Sequence, residues 1–269
     1  MSEQDPIIDQ ILLEALSWAR EAGAVQMRHF RQPHLDIHSK YGDSDIVTAA
    51  DKAAEKILID NIRRVHPDHS ILSEESGESD GSSPWRWVID PLDGTTNFAE
   101  GLPMFAVSIG IEHNGQTVIA VVYAPYLDEL FHAVRGQGAF LNGKPIKTRP
   151  NQLLSRAVIA TGFPVDKDIN PDNNIDNLTA VLPQVRGIRR LGSAAIDLCY
   201  VAAGYLDAYW ELNLHLWDIA AGLLILQEAG GLSTHFRSDR GLSICAASPA
   251  IFPQLLPLLH TTPNRQSSK

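Results

Sequence analysis

Asp90-Pro91-Leu92-Asp93-Gly94-Thr95-Thr96-Asn97-Phe98 follows directly on Trp85-Arg86-Trp87-Val88-Ile89. The upstream run is apolar enough to read as a buried strand. Two carboxylates therefore stand where that strand ends, three positions apart, with Pro91 stiffening the turn between them. Aspartates at a strand end are well placed to hold hard divalent cations. A glycine-led turn into a helix offers free backbone N–H groups to an anion. The ordinary alternative is a turn whose aspartates only hydrogen-bond their own backbone. The mostly apolar strand before it and Gly94-Thr95-Thr96 after it favour the chemical reading. Metal and phosphate together point to phosphoryl chemistry.

Three further acidic clusters are weaker taken singly. Ser73-Glu74-Glu75-Ser76 follows a short apolar strand and reads equally well as a solvated loop. Thr48-Ala49-Ala50-Asp51 opens a helix, where Asp51 suits the third helical position of a near capping box. Asp218 follows Trp217 at the start of Ile219-Ala220-Ala221-Gly222, where the helix dipole alone favours an acid. Converging, these carboxylates would be costly unless divalent cations neutralised them. Oxygen-only ligands select Mg²⁺ over zinc. The ten histidines are scattered; His34 and His38 are four apart, but Pro33 and a polar context argue against a helical zinc pair.

Composition sets wider bounds. A chain of 269 residues with 44% hydrophobic content can build a large core. The net charge of −10 argues against nucleic-acid binding driven by positive charge. It would also repel a phosphate substrate unless metal ions reverse the local field. Cys199 and Cys245 lie in apolar runs and read as buried free thiols. Met1-Ser2-Glu3-Gln4-Asp5 is acidic, without the apolar core of a signal peptide, and no apolar run is long enough to span a membrane. A soluble, cytoplasmic protein with no membrane partner is expected.

Along the chain, apolar residues at three-to-four spacing predict helices over 8–30 and 48–66. Residues 31–45 are polar and irregular. Short strands are expected at 70–72 and 85–89, with a loop at 76–84. Apolar runs at 105–112 and 116–124 flank His113-Asn114-Gly115, a hairpin signal. Strands at 130–134 and 139–141 extend the antiparallel sheet. Beyond residue 150 strands at 157–161, 188–191, 206–211 and 242–246 alternate with helices near 175–182, 193–203, 217–229 and 249–260. Gly204 and Gly230-Gly231 suit helix ends, and 261–269 should fray. The expected fold class is α/β: an α+β metal- and phosphate-binding part (1–150) with antiparallel sheet, and an α/β substrate-binding part (151–269). The two should pack as one layered αβαβα sandwich.

Asp45-Ile46-Val47-Thr48-Ala49-Ala50-Asp51, Ser73-Glu74-Glu75-Ser76, the Asp90–Phe98 segment and Trp217-Asp218-Ile219-Ala220-Ala221-Gly222 stand in an order that resembles the inositol monophosphatases, a group of Mg²⁺-dependent, lithium-sensitive phosphatases. The resemblance covers about residues 8–260, and no P-loop or dinucleotide motif competes. It implies two to three Mg²⁺ per site. Glu74, Asp90 and the Leu92 carbonyl would hold the first; Asp90, Asp93 and Asp218 the second; a weaker third would sit near Glu74 through waters. Asp51 and Thr95, with Glu74, would carry the catalytic work of orienting and deprotonating a water. The Gly94 and Thr95 N–H groups would bind phosphate, with Asp93 and Asp218 also reaching the substrate. Ser193, Ala194 and Glu211 match positions that contact the alcohol, and Lys40 lies in the segment matching a mobile metal-site loop. A homodimer is implied. Hydrolysis would use metal-activated water and no phosphoenzyme.

Thr95-Thr96-Asn97-Phe98 resembles the inositol-phosphatase version of the motif, whereas fructose bisphosphatases carry Ser-Ser after the glycine; Gly162-Phe163-Pro164 agrees. Inositol 1-phosphate is the expected substrate, with fructose 1,6-bisphosphatase or broad sugar-phosphatase activity as the alternative. A different class of function also stands: a regulatory binding partner of RNA-processing or transcription machinery, with direct nucleic-acid contact disfavoured by charge. Arg186, Arg189 and Arg190 form the compact basic cluster of this region and read as a strand edge or dimer surface. The polar run from Asp166 to Asn174 fits either a solvated loop or a wall of the substrate pocket.

Overall fold

The computed structural model describes residues 6–32, 38–39 and 46–259. Lys40, Asp45 and His34 fall outside these, as does the 261–269 tail. Helix α1 (Pro6–His29) is followed by a short antiparallel pair, β1 (His38–Ser39) and β2 (Ile46–Val47), and then helix α2 (Ala49–Val65). Ile11, Ala15, Trp18, Ala22 and Val25 form the buried stripe of α1, and Ala54, Leu58 and Ile62 that of α2. This three-to-four spacing seats both helices on one face of a large sheet, against Ile71, Trp87, Ile89, Ile109 and Val121.

That sheet comprises β3 (Ser70–Ser73), β4 (Gly77–Ser79), β5 (Trp85–Asp93), β6 (Ala106–His113), β7 (Gln116–Ala124), β8 (Glu129–Val134), β9 (Ala139–Leu141) and β10 (Lys144–Ile146), with the one-turn helix α3 (Thr95–Ala99) after β5. The order is β10-β9-β8-β7-β6-β5-β3-β4, antiparallel except where β3 runs parallel to β5. The two-residue period assigns faces. On β7, Ile119, Val121 and Tyr123 meet α1 and α2, while Ala120, Val122 and Ala124 turn to the opposite core.

The second half contains β11 (Val158–Thr161), α4 (Ile175–Val181), β12 (Gly187–Arg189), α5 (Ala194–Ala202), β13 (Ala208–Leu214), α6 (Leu216–Glu228), β14 (Leu232–Arg237), β15 (Leu242–Ala247) and α7 (Phe252–Leu255). Its five-stranded sheet has the order β12-β11-β13-β15-β14. Helices α5 and α6 are almost wholly apolar and lie between the two sheets, while α4 and α7 cover the far face of the smaller one. A helix buried on all sides must read as apolar all round. The result is the expected αβαβα sandwich.

Local departures have physical causes. Strand β5 runs through Asp90 and Asp93 instead of stopping before them. The helix expected over 249–260 is only α7 plus a 3-10 turn, because Pro253 and Pro257 restart it. Strands β4, β10 and β14 were not expected. β4 and β10 carry no buried residue, and β14 is exposed at Leu232, Ser233 and His235, so none of the three shows a hydrophobic alternation to read.

Candidate active site

In a regular strand, residues three apart face opposite sides. β5 avoids this: Asp90 pairs with Ser108 but Asp93 with Ala106, so three steps on β5 match two on β6. This bulge returns Asp93 to the side of Asp90. Pro91 sits within it, where no ladder N–H is needed, and its carbonyl accepts from the buried Gln26 Nε2 at 2.7 Å. Gly94 then turns the chain at φ 96° into α3. A Cβ there would lie 2.8 Å from the Met104 carbonyl oxygen, so only glycine fits.

Four other segments meet this turn. Parallel pairing of Ser73 with Ile89 sets Glu74 beside Asp90. From the start of α2, Asp51 Oδ2 accepts from the Thr48 N–H (2.8 Å) and Thr48 Oγ1 (2.6 Å). Thr95 Oγ1 lies 3.1 Å from both Asp51 Oδ1 and the Leu92 carbonyl; with one proton it donates to one at a time. From α5, Ser193 Oγ (2.5 Å) and the Ala195 N–H (2.7 Å) donate to Asp93 Oδ2. At the start of α6, Asp218 Oδ2 accepts from the His215 N–H at 2.7 Å.

Burial and mutual repulsion dominate the electrostatics. Asp90 is pushed well above the usual carboxylate range by burial, then by Glu74, Asp93 and Asp218. Asp218 is likewise raised, by burial and by Asp93. Burial lifts Asp93 to about 6, opposed by the hydrogen bonds from Ser193 and Ala195. Asp51 is raised more mildly, since the Thr48 and Thr95 bonds hold it down. Among the described residues, no group of three His, Cys, Asp or Glu side chains forms a ready metal cage. Mg²⁺ usually keeps several of its waters, so its protein carboxylates need not close round it as a cage. Oxygen-only donors, buried beside one another and mutually destabilised, fit such a hard cation.

A cavity of about 360 Å³ opens over Glu74 and Asp218, walled by Phe163, Pro164, Val165 and Trp217. Glu211 joins it to a smaller chamber of about 130 Å³ lined by Asp93, Ser193, Ala194 and Asp218. Thus Glu74, Asp93, Ser193, Ala194, Glu211 and Asp218 face one connected space, with Asp51, Asp90, Leu92 and Thr95 packed directly behind. Burial lifts Glu211 to about 7, offset by the Tyr209 hydroxyl that donates to it and by Arg190.

Sequence reasoning missed two neighbours of Glu211, Tyr209 and Asp197, and gave a third, Arg190, a different setting. Tyr209 shares its strand face, two positions away, a spacing that would have revealed it once β13 was known. Asp197 is buried, with Oδ1 unpartnered, and is raised by burial, Glu211 and Asp93; its place inside an apolar helix was the available signal. Arg190 lines the small chamber instead of serving only as an edge residue. Asn97 and Phe98, read as substrate clues, face inward. Asn97 Nδ2 donates to the Met104 and Leu191 carbonyls, each at 2.7 Å, and Phe98 packs on Phe30 and Phe105. Cys199 and Cys245 are buried and free, as expected.

Known proteins share this arrangement of segments. The model of the "Inositol monophosphatase family" matches residues 8–262. The chain is 43% identical to the Nus factor SuhB of Salmonella typhimurium over 91% of its length and 94% of that protein. It is also 43% identical to the inositol-1-monophosphatase of Rhizobium meliloti, over 85% of this chain and 83% of the relative. The crystal structure of the Bartonella henselae extragenic suppressor protein suhB superposes with a TM-score of 0.86 at 39% identity, covering 93% of this chain and 98% of that one. The inositol monophosphatase of Anabaena gives 0.83, also at 39% identity, covering 96% and 98%. The chain belongs to the inositol monophosphatase family.

Proposed function

We propose that this protein hydrolyses a small phosphate monoester with Mg²⁺, and that its preferred substrate is inositol 1-phosphate, giving myo-inositol and phosphate. One observation carries the reading: Asp51, Glu74, Asp90, Asp93 and Asp218 arrive from four separate segments and converge beside Thr95, under a cavity large enough for a cyclitol. Two to three Mg²⁺ would be held by Glu74, Asp90, the Leu92 carbonyl, Asp93 and Asp218. When bound, they would supply positive charge to the phosphoryl oxygens, acidify a water and steady the departing alkoxide.

The chain's own groups do the rest. Thr95 Oγ1 accepts a hydrogen bond from the attacking water while donating to Asp51, whose raised pKa makes it a better proton acceptor near neutrality. The Gly94 and Thr95 N–H groups face the phosphoryl oxygens. Ser193 fixes Asp93, and Glu211 accepts from hydroxyls of the alcohol. No serine or cysteine nucleophile is needed, so water attacks phosphorus directly without a phosphoenzyme. The test is phosphate release from a panel of esters, with Mg²⁺, with chelator and with millimolar lithium. Chelator-resistant turnover removes the metal-based reading; equal rates on inositol 1-phosphate and fructose 1,6-bisphosphate remove the narrower substrate.

A second reading has specific support. Relatives named Nus factor and inositol-1-monophosphatase stand at the same 43% identity, so identity does not choose between them. A regulatory role beside transcription machinery would need a protein partner, given the net charge of −10. Restoration of a deletion strain's growth by a catalytically dead variant would favour that role; failure would favour the phosphatase. A homodimer is expected in either case.

A further inference from the structure

The polar run 166–174 is tied down at three places, and the residues that lead into it, 163–165, line the substrate cavity. Phe163, Pro164 and Val165 line that cavity together with Glu211 and Trp217. The wall presses directly on the glutamate: a Cβ on Gly162 would fall 1.9 Å from Glu211 Oε2. Twelve residues later the chain returns to its starting point. Asn174, buried and at φ 76°, donates from Nδ2 to Thr161 Oγ1 (2.9 Å) and the Gly162 carbonyl (2.6 Å). Its Oδ1 accepts from Trp210 Nε1 at 2.8 Å. The segment is therefore a closed loop whose neck is Asn174.

The turn between β14 and β15 grips its body. Arg240 forms a two-pronged pair with Asp166, at 2.5 and 3.1 Å. Arg237 Nη2 lies 2.7 Å from Asp172, and the same guanidinium holds Asp239 at 3.0 Å. The Arg237 side chain is 1% exposed. Burying a guanidinium is costly, and a well-packed apolar residue would serve stability at least as well. What a paired fork adds is a fixed geometry. Inside the loop, Asn170 and Asp172 complete the local bonding to Asp166 and Asn170.

We propose that residues 162–174 form a clasped wall of the alcohol subsite, with Arg237 and Arg240 as positioning residues. Their ion pairs hold Phe163, Pro164 and Val165 at a set separation from Glu211. The wall is apolar and a carboxylate, Glu211, lines the same cavity, so the alcohol that fits has one hydroxyl-bearing edge and one C–H face, as a cyclic polyol does. This rests on the phosphatase reading above and specifies its substrate selection.

The test uses the full chain and three variants: Arg240→Asp, Asp166→Arg and the double charge swap. KM and kcat are measured on inositol 1-phosphate and on glycerol 2-phosphate, a short acyclic ester with no ring face. Each single variant should raise KM for the cyclitol ester about fivefold to tenfold, with kcat and the acyclic ester unaffected, and the swap should recover most of the loss. Amide exchange across 162–174 should quicken in the single variants and recover in the swap. Unchanged KM for the cyclitol ester, equal loss on both esters, or no recovery in the swap would each overturn the clasp. If the wild type turns over neither ester, the phosphatase reading fails by itself; unchanged exchange in the single variants would then separately show that no clasp exists.

Discussion

Replacing Asp93 with Asn should make the metal-free protein more stable and inactive at once. The Asp93 carboxyl is lifted from its ordinary 3.8 to about 6, chiefly by burial. A raised acid pKa means that the folded state binds more protons than the unfolded one between those values. Stability from this group is therefore complete below about pH 4 and falls as pH rises through about 6. At pH 7.5 the charged group costs about 3 kcal/mol. Asn removes that cost while its Oδ1 still accepts from Ser193 and Ala195, losing about 1 kcal/mol because those bonds are no longer charge-assisted. The net gain of about 2 kcal/mol corresponds to a Tm roughly 4–8 °C higher for a chain of this size. Relief of Asp90 and Asp218, both raised by Asp93, acts in the same direction. Calorimetry in chelator at pH 7.5 and 4.5 checks this, alongside Mg²⁺-dependent phosphate release. The Tm gain should vanish at pH 4.5, where wild-type Asp93 is already protonated. A metal-free variant that melts lower than wild type at pH 7.5, or that keeps Mg²⁺-dependent turnover, refutes the reasoning.

Three other substitutions separate chemistry from scaffold. Thr95→Val removes the hydroxyl between Asp51 and the Leu92 carbonyl; kcat should fall about 10²- to 10³-fold with KM little changed, as steady-state kinetics will show. Asn97→Ala leaves two part-buried carbonyls without their donor, and urea unfolding should report a loss of about 1–3 kcal/mol. Glu211 lies near 7, so its acceptor strength toward the alcohol grows as pH rises through that value. The wild-type KM for inositol 1-phosphate should accordingly drop across that range, whereas that of Glu211→Gln should stay flat; parallel pH profiles would remove Glu211 from the alcohol site.

Most of the layering was legible because it follows from periodicity. The stripes of α1 and α2, the hairpin at Asn114-Gly115 and the all-apolar α6 each announce a burial class before any contact is known. What stayed hidden depends on pairing. The bulge in β5 appears only when Asp90 and Asp93 are matched against Ser108 and Ala106. Without it, the odd spacing of the two acids would place them on opposite faces. Asn97 served as a substrate clue only as part of the Thr95-Thr96-Asn97-Phe98 motif, yet its amide spans to Leu191, a distance in sequence that no local pattern encodes. The same holds for Arg237 and Arg240, whose partners lie some seventy residues earlier.

The capping readings of Asp51 and Asp218 hold, and they bear on how so acidic a cluster is tolerated. Asp51 and Asp218 accept from the N-cap N–H groups of α2 and α6, and Asp93 accepts from Ala195 in the first turn of α5. Three helix N-termini therefore converge on three of the carboxylates, each carrying about half a positive charge. Capping does not exclude a metal-binding or catalytic role, because the cap N–H groups partly offset the burial that disfavours an ionised acid at Asp51 and Asp218. Asp90 has no such helix behind it. Besides its neighbours' charge it receives the Leu92 N–H at 2.9 Å, from its own bulge. Burial and three like charges act on it with the least compensation. Asp90 is thus the carboxylate whose ionisation depends most on a bound cation, and the bulge that sets its position is the part of the fold most tightly bound to the chemistry.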